Sequence, residues 1–342
     1  MGKMNIACIG AGSIGMLVTA KLAAAGADVL LIAHTDEQAS LLAGAGLTLV
    51  ERDAEKTMQV RAISFERLKA PGERAGAGIE KNGPFDWVLL TVKQKHIADS
   101  LLEPASRLLG DSGRLLCFQN GVGHVEAIER HVPRERLYLA VTTEGAKKLA
   151  PNRVAHTGSG ITWIGPAQSG DRGQMSPPAE QKAQNLLQNA LCEAGFRASL
   201  SNQMEEIVWN KLLINSVVNP LTALLRVRNG ELPVGEHRIG LMRTLLDEGI
   251  AVATGAGIPT RDDLWEQLID VCAKTADNAS SMLQDLSDGR STEIDWITGA
   301  IVRTGRRLRI PAPMHETIYR LVKAAEPAAG RDGRQERTYR GS

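Results

Sequence analysis

The chain has 342 residues, a length that predicts about two domains. Its 43% apolar and 23% charged residues are typical of a soluble globular protein, and a net charge of +1 predicts no general attraction to nucleic acid or to a membrane surface. Four widely spaced cysteines without a CxxC pair argue against a zinc ribbon or a secreted disulfide framework. Because the sequence has neither a long apolar run nor a signal-peptide pattern, we predict a cytoplasmic protein.

Strand-like and helix-like segments alternate through the first two hundred residues. The short apolar runs "MNIACIG", "ADVLLIA", "DWVLLTVK" and "GRLLCF" are typical of buried strands, and "SIGMLVTAKLAAAG", "DEQASLLAGAG" and "HIADSLLEPASRLLG" have helical periodicity. This alternation predicts a parallel sheet covered by helices, with less regular strands added late at "RVAHTG" and "GITWIGP".

From about Ser201 the strand signal disappears and helical segments follow one another. We therefore predict an α/β domain over residues 1–200 and an all-α domain over residues 201–325. The Gly-rich and charged stretch at residues 66–84 predicts a surface insertion, and the small polar residues of 326–342 predict a flexible tail.

The segment "GAGSIG", from Gly10 to Gly15, matches the dinucleotide-binding pattern G-x-G-x-x-G. The pattern alone is weak, but here it follows a predicted strand, opens a predicted helix and begins the alternating part of the chain. Gly10 would permit the tight turn, Gly12 the approach of a pyrophosphate, and Gly15 close packing of the helix on the strand. The N–H groups around Ser13 and Ile14 would then face the phosphates. The alternative is three flexible glycines in a tight turn, and the context favours a Rossmann-type domain.

The end of the second predicted strand bears on the choice of cofactor. An NAD site usually has an acid there, whereas a 2′-phosphate requires cations or several donors. The chain has His34 at the strand end and Asp36 two residues later. His34 with Thr35 would partly suit a 2′-phosphate, and Asp36 would suit an NAD ribose or simply begin a helix. These residues leave NADP(H) and NAD(H) both open.

The helical segment "IVWNKLLINSVVNP" carries Lys211, Asn215 and Asn219 at intervals of four. Residues four apart share one face of a helix, and Asn is unfavourable inside a helix. An exposed polar stripe is the common case, but it would carry mixed charges rather than two amides among Ile, Val, Leu and Trp. We therefore favour a polar pocket lined by this face. Because Asn219 precedes Pro220, we expect the helix to end or kink there.

A second segment, "ASSMLQDLSDGRSTEIDWITGA", carries two further candidates. Ser281 follows another Ser at helical spacing and lacks the His and Asp pattern of a nucleophile. Thr292 and Asp295 predict a capping box that would place Glu293 in the first turn of the next helix. An acid in that turn offsets the helix dipole, so the residues alone leave Glu293 either structural or functional.

Taken together, the motifs of this chain resemble those of the ketopantoate reductase family along almost its whole length. The matching stretches are "IGAGSIG", "TVK", "QNGVG", "TEGAKK", "GITWIGP", "WNKLLINSVVNPLTALLRVRNGEL" and "ADNASSMLQDLSDGRSTEIDWITG". The resemblance implies a Rossmann-type N-terminal domain and an all-α domain like the C-terminal domain of 6-phosphogluconate dehydrogenase. It also implies NADPH-dependent reduction of 2-dehydropantoate (ketopantoate) to pantoate, a step of pantothenate and coenzyme A biosynthesis.

The resemblance further implies roles for individual residues. Lys211 would be the general acid, and Glu293 its partner in the active site. The substrate would be held by Asn120, Asn215, Asn219, Asn229 and Ser281. The cofactor would contact Gly10, Ala11, Gly12, Ser13, Ile14, Gly15, His34, Lys93, Asn120, Ala146 and Glu293. No metal site is implied.

The chain departs from the family pattern at three positions. His34 stands where the family commonly has Arg for the 2′-phosphate, and His96 stands where Gln is frequent, so the preference for NADPH over NADH is in doubt. Glu144 replaces the His of a "TTHGA" pattern, and the sequence offers no mechanism for that change. The insertion around residues 70–84 is also extra.

Two other functions stay open at this point. One is a reductase on the same scaffold that acts on another 2-oxo or 3-oxo acid. The other is a non-catalytic NADP(H)-binding sensor, which would have little reason to keep Lys211, Asn215, Asn219, Ser281 and Glu293 together. An enzyme acting on a small 2-oxo acid is therefore preferred, and no nucleic-acid partner is predicted. Helical domains of this kind often pair, so a homodimer is an open alternative to a monomer.

Overall fold

The computed structural model describes residues 4–52, 54–69, 84–167 and 177–327. The chain divides into two compact units, a first unit of Met1–Gln119 with His124–Met204 and a second unit of Asn120–Gly123 with Glu205–Ser342. Residues 70–83 of the predicted insertion and 328–342 of the predicted tail lie outside the described residues. None of the helices in the described ranges is both long and apolar enough to cross a membrane.

Strands and helices alternate in the first unit, as predicted. The strands are β1 (Ile6–Ile9), β2 (Val29–Ala33), β3 (Leu47–Glu51), β4 (Ala54–Met58), β5 (Arg61–Ser64), β6 (Phe85–Leu90), β7 (Leu109–Cys117), β8 (Leu137–Thr142), β9 (Gly145–Ala150), β10 (Arg153–Gly158), β11 (Thr162–Pro166) and β12 (Ala198–Leu200). The helices are α1 (Ser13–Ala24), α2 (Asp36–Ala45), α3 (Phe65–Lys69), α4 (Asp99–Ser106), α5 (Val125–Ile128) and α6 (Pro178–Glu193), with 3-10 turns at Gln94–His96 and Arg134–Arg136.

The main sheet has eight strands in the order β12-β11-β8-β7-β6-β1-β2-β5. Within this order, the six neighbouring strands β8-β7-β6-β1-β2-β5 all pair in parallel. Strand β11 pairs antiparallel with β8. The core of this order is the doubly wound arrangement of a Rossmann fold, whose topological switch lies between β1 and β6. Both strands are almost wholly buried and apolar, as expected for parallel strands covered on two faces. Ligands of such sheets bind at the carboxyl ends of the strands beside the switch, where "GAGSIG" and "TVK" lie.

A second, four-stranded sheet of order β4-β3-β10-β9 was not expected from the sequence. The prediction that "RVAHTG" extends the main sheet is therefore wrong, because this strand pairs with β3 and β9 instead. The prediction for "GITWIGP" is confirmed, since β11 joins the main sheet. Pairing Thr48 with Arg153 brings together residues far apart in sequence, a contact that no local pattern specifies.

The second unit is helical throughout its described part, as predicted. Its helices are α7 (Met204–Leu225), α8 (Glu236–Gly255), α9 (Leu264–Lys274), α10 (Ser281–Ser287), α11 (Thr298–Leu308) and α12 (Pro313–Ala325), with 3-10 turns at Asn229–Glu231 and Ile294–Trp296. The helical segment "RDDLWEQLIDVCAKTADNASSMLQDL" forms two helices, because the chain breaks at "TADNAS" and Ser280 caps the start of the second by accepting from the Leu283 N–H.

Helix α7 runs through the core of the second unit. Its Leu212, Leu213 and Val217 are buried among side chains of the other helices, and burying each such side chain contributes about 1.5–3 kcal/mol. Of the two outcomes expected at Asn219, an end of the helix is wrong, since α7 continues past Pro220 to Leu225. A proline inside a helix removes one hydrogen bond and crowds the preceding turn at a cost of about 3 kcal/mol, which the burial of α7 in the core offsets.

The carbonyl groups next to this proline gain side-chain partners. The Thr222 hydroxyl donates to the Val218 and Asn219 carbonyls at 2.7 and 3.1 Å, and the Ser280 hydroxyl lies 3.5 Å from the Asn219 carbonyl. The carbonyl that loses its helical donor to Pro220 is that of Ser216, so these contacts add partners to neighbouring carbonyls and do not replace the missing bond.

Candidate functional site

The glycine-rich turn joins β1 to α1 in the first unit. Gly10 has φ +116°, which favours glycine, and a Cβ there would lie 2.9 Å from the Thr91 hydroxyl at the end of β6. A Cβ on Gly15 would lie 1.9 Å from the Gly10 carbonyl oxygen, so the helix packs against the turn as closely as only glycine allows. At Gly12 nothing lies within 4 Å of an added Cβ, which leaves space beside the backbone.

This geometry suits a dinucleotide pyrophosphate. Helix α1 begins at Ser13, directly after the open position at Gly12, and its first turn carries N–H groups that have no partner within the helix. A phosphate accepts hydrogen bonds from such groups and is favoured by the helix dipole. Gly10 and Gly15 are crowded as the predicted turn and packing roles require, and the open position at Gly12 leaves room for the predicted phosphate.

The ends of β2 and β6 carry the residues predicted to decide between the two nicotinamide cofactors. His34 follows β2, and Lys93 precedes the 3-10 turn that contains His96. Burial lowers the pKa of His96, and the positive charges of Lys95, His34 and Lys93 lower it further. These groups therefore form a basic cluster at one edge of the sheet.

Asp36, the other candidate beside the cofactor, begins helix α2. Thr35 caps that helix by accepting from the Gln38 N–H at 3.2 Å, and the Asp36 carboxylate forms a 3.2 Å ion pair with Arg67. Asp36 therefore lies at the start of a helix and has a cationic partner from α3.

Glu144, which has no explanation in the sequence, belongs to a charge network that is buried at Glu144 and exposed at Glu51. Its carboxylate lies 2.7 Å from the His156 ring, whose other nitrogen lies 2.9 Å from Glu51, and Glu51 also pairs with Lys21 at 3.0 Å. A carboxylate can only accept, so a histidine between two ionised carboxylates satisfies both only by donating from both ring nitrogens. The network joins β8–β9, β10, β3 and α1, and Ala146 lies on β9 beside it.

Lys211 lies on α7 in the second unit, half-buried among apolar neighbours. Its ammonium donates a 2.8 Å hydrogen bond to the Asn120 side-chain oxygen. Burial lowers the pKa of Lys211 to about 8, although the nearby negative charge of Glu293 acts to raise it. A lysine with such a pKa is mostly charged near pH 7 and gives up its proton more readily than an exposed lysine.

Asn120 reaches Lys211 because a short segment, Asn120–Gly123, belongs to the second unit while its neighbours in sequence belong to the first. The Val122 N–H donates to the Trp296 carbonyl at 3.3 Å. Gly121 has φ +84°, and a Cβ there would lie 2.2 Å from that same carbonyl. The "QNGVG" motif thus needs its first glycine for a close backbone contact that fixes Asn120 beside the lysine.

The polar register on α7 is observed as predicted, on one continuous helix. Lys211 and Asn215 are half-buried and Asn219 is buried, so this face is not a solvated stripe. Asn229 is buried on the following 3-10 turn, where its amide donates to Thr275 at 2.8 Å. Its side-chain oxygen is buried and accepts no hydrogen bond from the described residues. A hydroxyl group of a ligand would satisfy that oxygen.

Ser281 is exposed at the first residue of α10, whereas Ser280 before it is buried. The Ser280 hydroxyl caps the helix by accepting from the Leu283 N–H, and it lies 2.8 Å from the Thr222 hydroxyl on α7. The sequence alone does not show which of these two adjacent serines faces inward. The contact with α7 decides this, and it leaves Ser281 available to a ligand.

Glu293 is buried immediately before the 3-10 turn Ile294–Trp296. The predicted capping box is wrong: Thr292 accepts from the Ile294 N–H at 3.2 Å, while Asp295 accepts from Tyr319 and Lys323. The next helix begins only at Thr298, so Glu293 is not in its first turn. Its negative charge instead acts on Lys211.

The segment that carries Glu293 is held by a residue that the sequence assigned to the tail. Glu326 accepts hydrogen bonds from the Thr292 N–H and hydroxyl at 2.8 and 2.7 Å, and it forms a 2.7 Å ion pair with Lys323. Only 7% of the Glu326 side chain is exposed, so it is anchored rather than frayed. No motif indicated this role, because it depends on a contact between α12 and a distant loop.

Comparison with known proteins identifies the family. The model of "Ketopantoate reductase PanE/ApbA" matches residues 6–169, and that of its C-terminal domain matches residues 203–326. The chain is 30% identical over 336 residues to the 2-dehydropantoate 2-reductase of Halobacterium salinarum, which covers 96% of this chain and 100% of the relative. It is 31% identical over 329 residues to that of Archaeoglobus fulgidus, covering 95% and 99%. The chain belongs to the ketopantoate reductase family.

Ketopantoate reductases are oxidoreductases that depend on a pyridine nucleotide, and the solved structures agree with that assignment. A ketopantoate reductase from Ralstonia eutropha matches with a TM-score of 0.78 at 28% identity, over 94% of this chain and 98% of that one. A D-mandelate dehydrogenase solved with NADH and anilino(oxo)acetate matches with a TM-score of 0.80 at 26% identity, again over 94% and 98%. The described residues contain no cluster of three or more His, Cys, Asp or Glu side chains suited to a metal ion.

Proposed function

We propose that this ketopantoate reductase family member reduces 2-dehydropantoate to pantoate with NADPH, a step of pantothenate and coenzyme A biosynthesis. The observation that carries the proposal is the buried Lys211 ammonium, which has a pKa of about 8 and a 2.8 Å bond to Asn120. The curated relatives named 2-dehydropantoate 2-reductase support the choice of substrate.

Lys211 acts as the general acid in this mechanism. Bound NADPH would supply the hydride that reduces C2 of the oxo acid. The ammonium stabilises the negative charge that develops on the C2 oxygen and then donates its proton to it. Asn120 directs Nζ by accepting one of its three N–H bonds. Glu293 keeps the lysine protonated before the reaction, because its charge raises the pKa that burial lowers.

The neutral amides of the second unit hold the substrate. Asn215 and Asn219 lie one and two turns along α7 from Lys211, on the same face of the helix. Amide N–H groups donate to a carboxylate, whose two oxygens only accept. The unsatisfied oxygen of Asn229 accepts from the hydroxyl group of the substrate, and Ser281 contributes a further hydroxyl. Glu293 adds an acceptor for a substrate hydroxyl.

The preference for NADPH comes from the basic cluster at the ends of β2 and β6. A 2′-phosphate carries more negative charge than a ribose hydroxyl and is stabilised by His34, Lys93 and His96 together. Burial, and then repulsion from the neighbouring positive charges, lowers the pKa of His96, and an anion bound among these groups acts in the opposite direction. Binding of NADPH is therefore accompanied by proton uptake below neutral pH, whereas binding of NADH is not.

A second candidate is the reduction of a different 2-oxo acid with NADH. The similarity to D-mandelate dehydrogenase, which was solved with NADH, supports this alternative, as does His34 in place of the family's usual arginine. The mechanism at Lys211 would be the same, and only the groups around the substrate side chain and the adenosine ribose would differ.

Steady-state kinetics distinguish the two functions. Consumption of NADPH and of NADH is followed at 340 nm with ketopantoate and, in parallel, with pyruvate, 2-oxoisovalerate and phenylglyoxylate. We expect the highest kcat/KM for ketopantoate with NADPH. A higher value for an aromatic oxo acid with NADH would support the second function, and no turnover with any oxo acid would contradict both.

A further inference from the structure

The hairpin of β9 and β10 contacts the glycine-rich turn of the same unit through Lys148. The Lys148 ammonium donates a 3.1 Å hydrogen bond to the Ala11 carbonyl, and its backbone N–H donates a 3.1 Å bond to the Ser13 hydroxyl. Two atoms of one residue thus bond to the turn and to the first residue of α1. We propose that Lys148 binds the pyrophosphate of the dinucleotide cofactor.

The bond to Ala11 does not by itself account for a lysine at this place. The Gln38 side-chain amide donates to the same carbonyl at 3.1 Å, and to the Pro151 carbonyl at 2.7 Å. The Ala11 oxygen therefore keeps a partner when the ammonium turns away from it. A lysine has three N–H bonds on a flexible stem, so Nζ can reach an anion bound beside the turn.

The charge balance at the turn favours this role. A pyrophosphate is a dianion at neutral pH, and the N–H groups at the start of α1 supply partial charge only. Lys21, near the end of α1, already pairs with Glu51 on β3. Lys148 is tethered where the phosphates approach, although partial burial of its amino group lowers its pKa. A phosphate beside this ammonium reverses that effect, because an opposite charge favours the protonated form.

The neighbouring lysine provides a matched control. Lys147 precedes Lys148 on β9, and side chains of consecutive strand residues point to opposite faces. Both are exposed, so Lys147→Met and Lys148→Met remove the same charge from the same strand. Only the second substitution removes a group that contacts the turn.

The inference rests on the proposed binding of a nicotinamide dinucleotide at the glycine turn, and not on the identity of the oxo acid. Equilibrium binding to the full chain is measured by calorimetry with two fragments of the cofactor. ADP-ribose contains the pyrophosphate without a 2′-phosphate, and 2′-AMP contains the 2′-phosphate without a pyrophosphate. We expect Lys148→Met to lower the affinity for ADP-ribose and for NADPH by about tenfold, which is the scale of one charge-assisted hydrogen bond. Binding of 2′-AMP stays unchanged, and Lys147→Met changes every affinity by less than about twofold.

Two further measurements separate binding from structure. Lys148→Arg keeps the charge and should retain most of the ADP-ribose affinity, and the deficit of Lys148→Met should shrink as the salt concentration rises. An unchanged ADP-ribose affinity in a correctly folded Lys148→Met protein would overturn the proposal, as would a loss confined to 2′-AMP. Absence of ketopantoate reduction in the wild type would refute the proposed function while leaving these binding results intact.

Discussion

The protonation of Lys211 sets the pH dependence of the proposed reaction. With a pKa of about 8, the ammonium is about 90% protonated at pH 7 and about 10% protonated at pH 9. Reduction requires the protonated form, so kcat/KM for the oxo acid should be level below pH 7 and fall about tenfold from pH 7 to pH 9. An ordinary lysine, with a pKa of 10.5, would give a level profile over the same range. The direction is fixed because burial disfavours the charged form.

The assay follows NADPH consumption at limiting ketopantoate and saturating cofactor, since kcat/KM reports groups of the enzyme before the oxo acid binds. Lys211→Ala should lower kcat by about 10²–10⁴-fold and abolish the fall in kcat/KM above pH 7. Added methylamine should restore part of the lost activity by supplying the missing ammonium group. Fluorescence of bound NADPH checks that the variant still binds its cofactor. A wild-type profile that stays level to pH 9.5, or near-normal turnover by Lys211→Ala, would refute the assignment of the acid.

Three further substitutions examine the surroundings of this acid and the glycine turn. Asn120→Ala removes the acceptor from the buried ammonium and should lower kcat about tenfold. Glu326→Ala should lower the free energy of unfolding by about 2 kcal/mol, measured in urea, and reduce kcat by displacing Glu293. Gly15→Ala should prevent stable folding because its Cβ meets the backbone, whereas Gly12→Ala should fold normally and bind NADPH more weakly.

Each of these has a result that would contradict it. Unchanged kcat in Asn120→Ala would mean that the 2.8 Å bond does not direct the lysine. For the second, Glu326→Gln serves as the comparison, since an amide oxygen can still accept from Thr292; a stability loss without any change in kcat would restrict Glu326 to a structural role. Equal melting temperatures for Gly12→Ala and Gly15→Ala would show that the crowding at the turn is not as described.

Local patterns were sufficient for much of this protein. The "GAGSIG" motif predicts a strand, a tight turn and a helix start because the backbone requirements of Gly10 and Gly15 are met within a few residues. The four-residue spacing of Lys211, Asn215 and Asn219 predicts a shared face on any helix, whatever surrounds it. The change from alternating strands to helices near Ser201 is likewise a property of hydrophobic periodicity alone.

Contacts between distant segments decided the rest. The pairing of β3 with β10, the insertion of Asn120 beside Lys211 and the anchoring of Thr292 by Glu326 each join residues many positions apart. The same holds for the continuation of α7 past Pro220, where packing in the core outweighs a local stop signal. A sequence specifies hydrogen-bonding capacity and periodicity residue by residue, but the partner of each polar group, and hence the pKa of the lysine, exists only once the chain has folded.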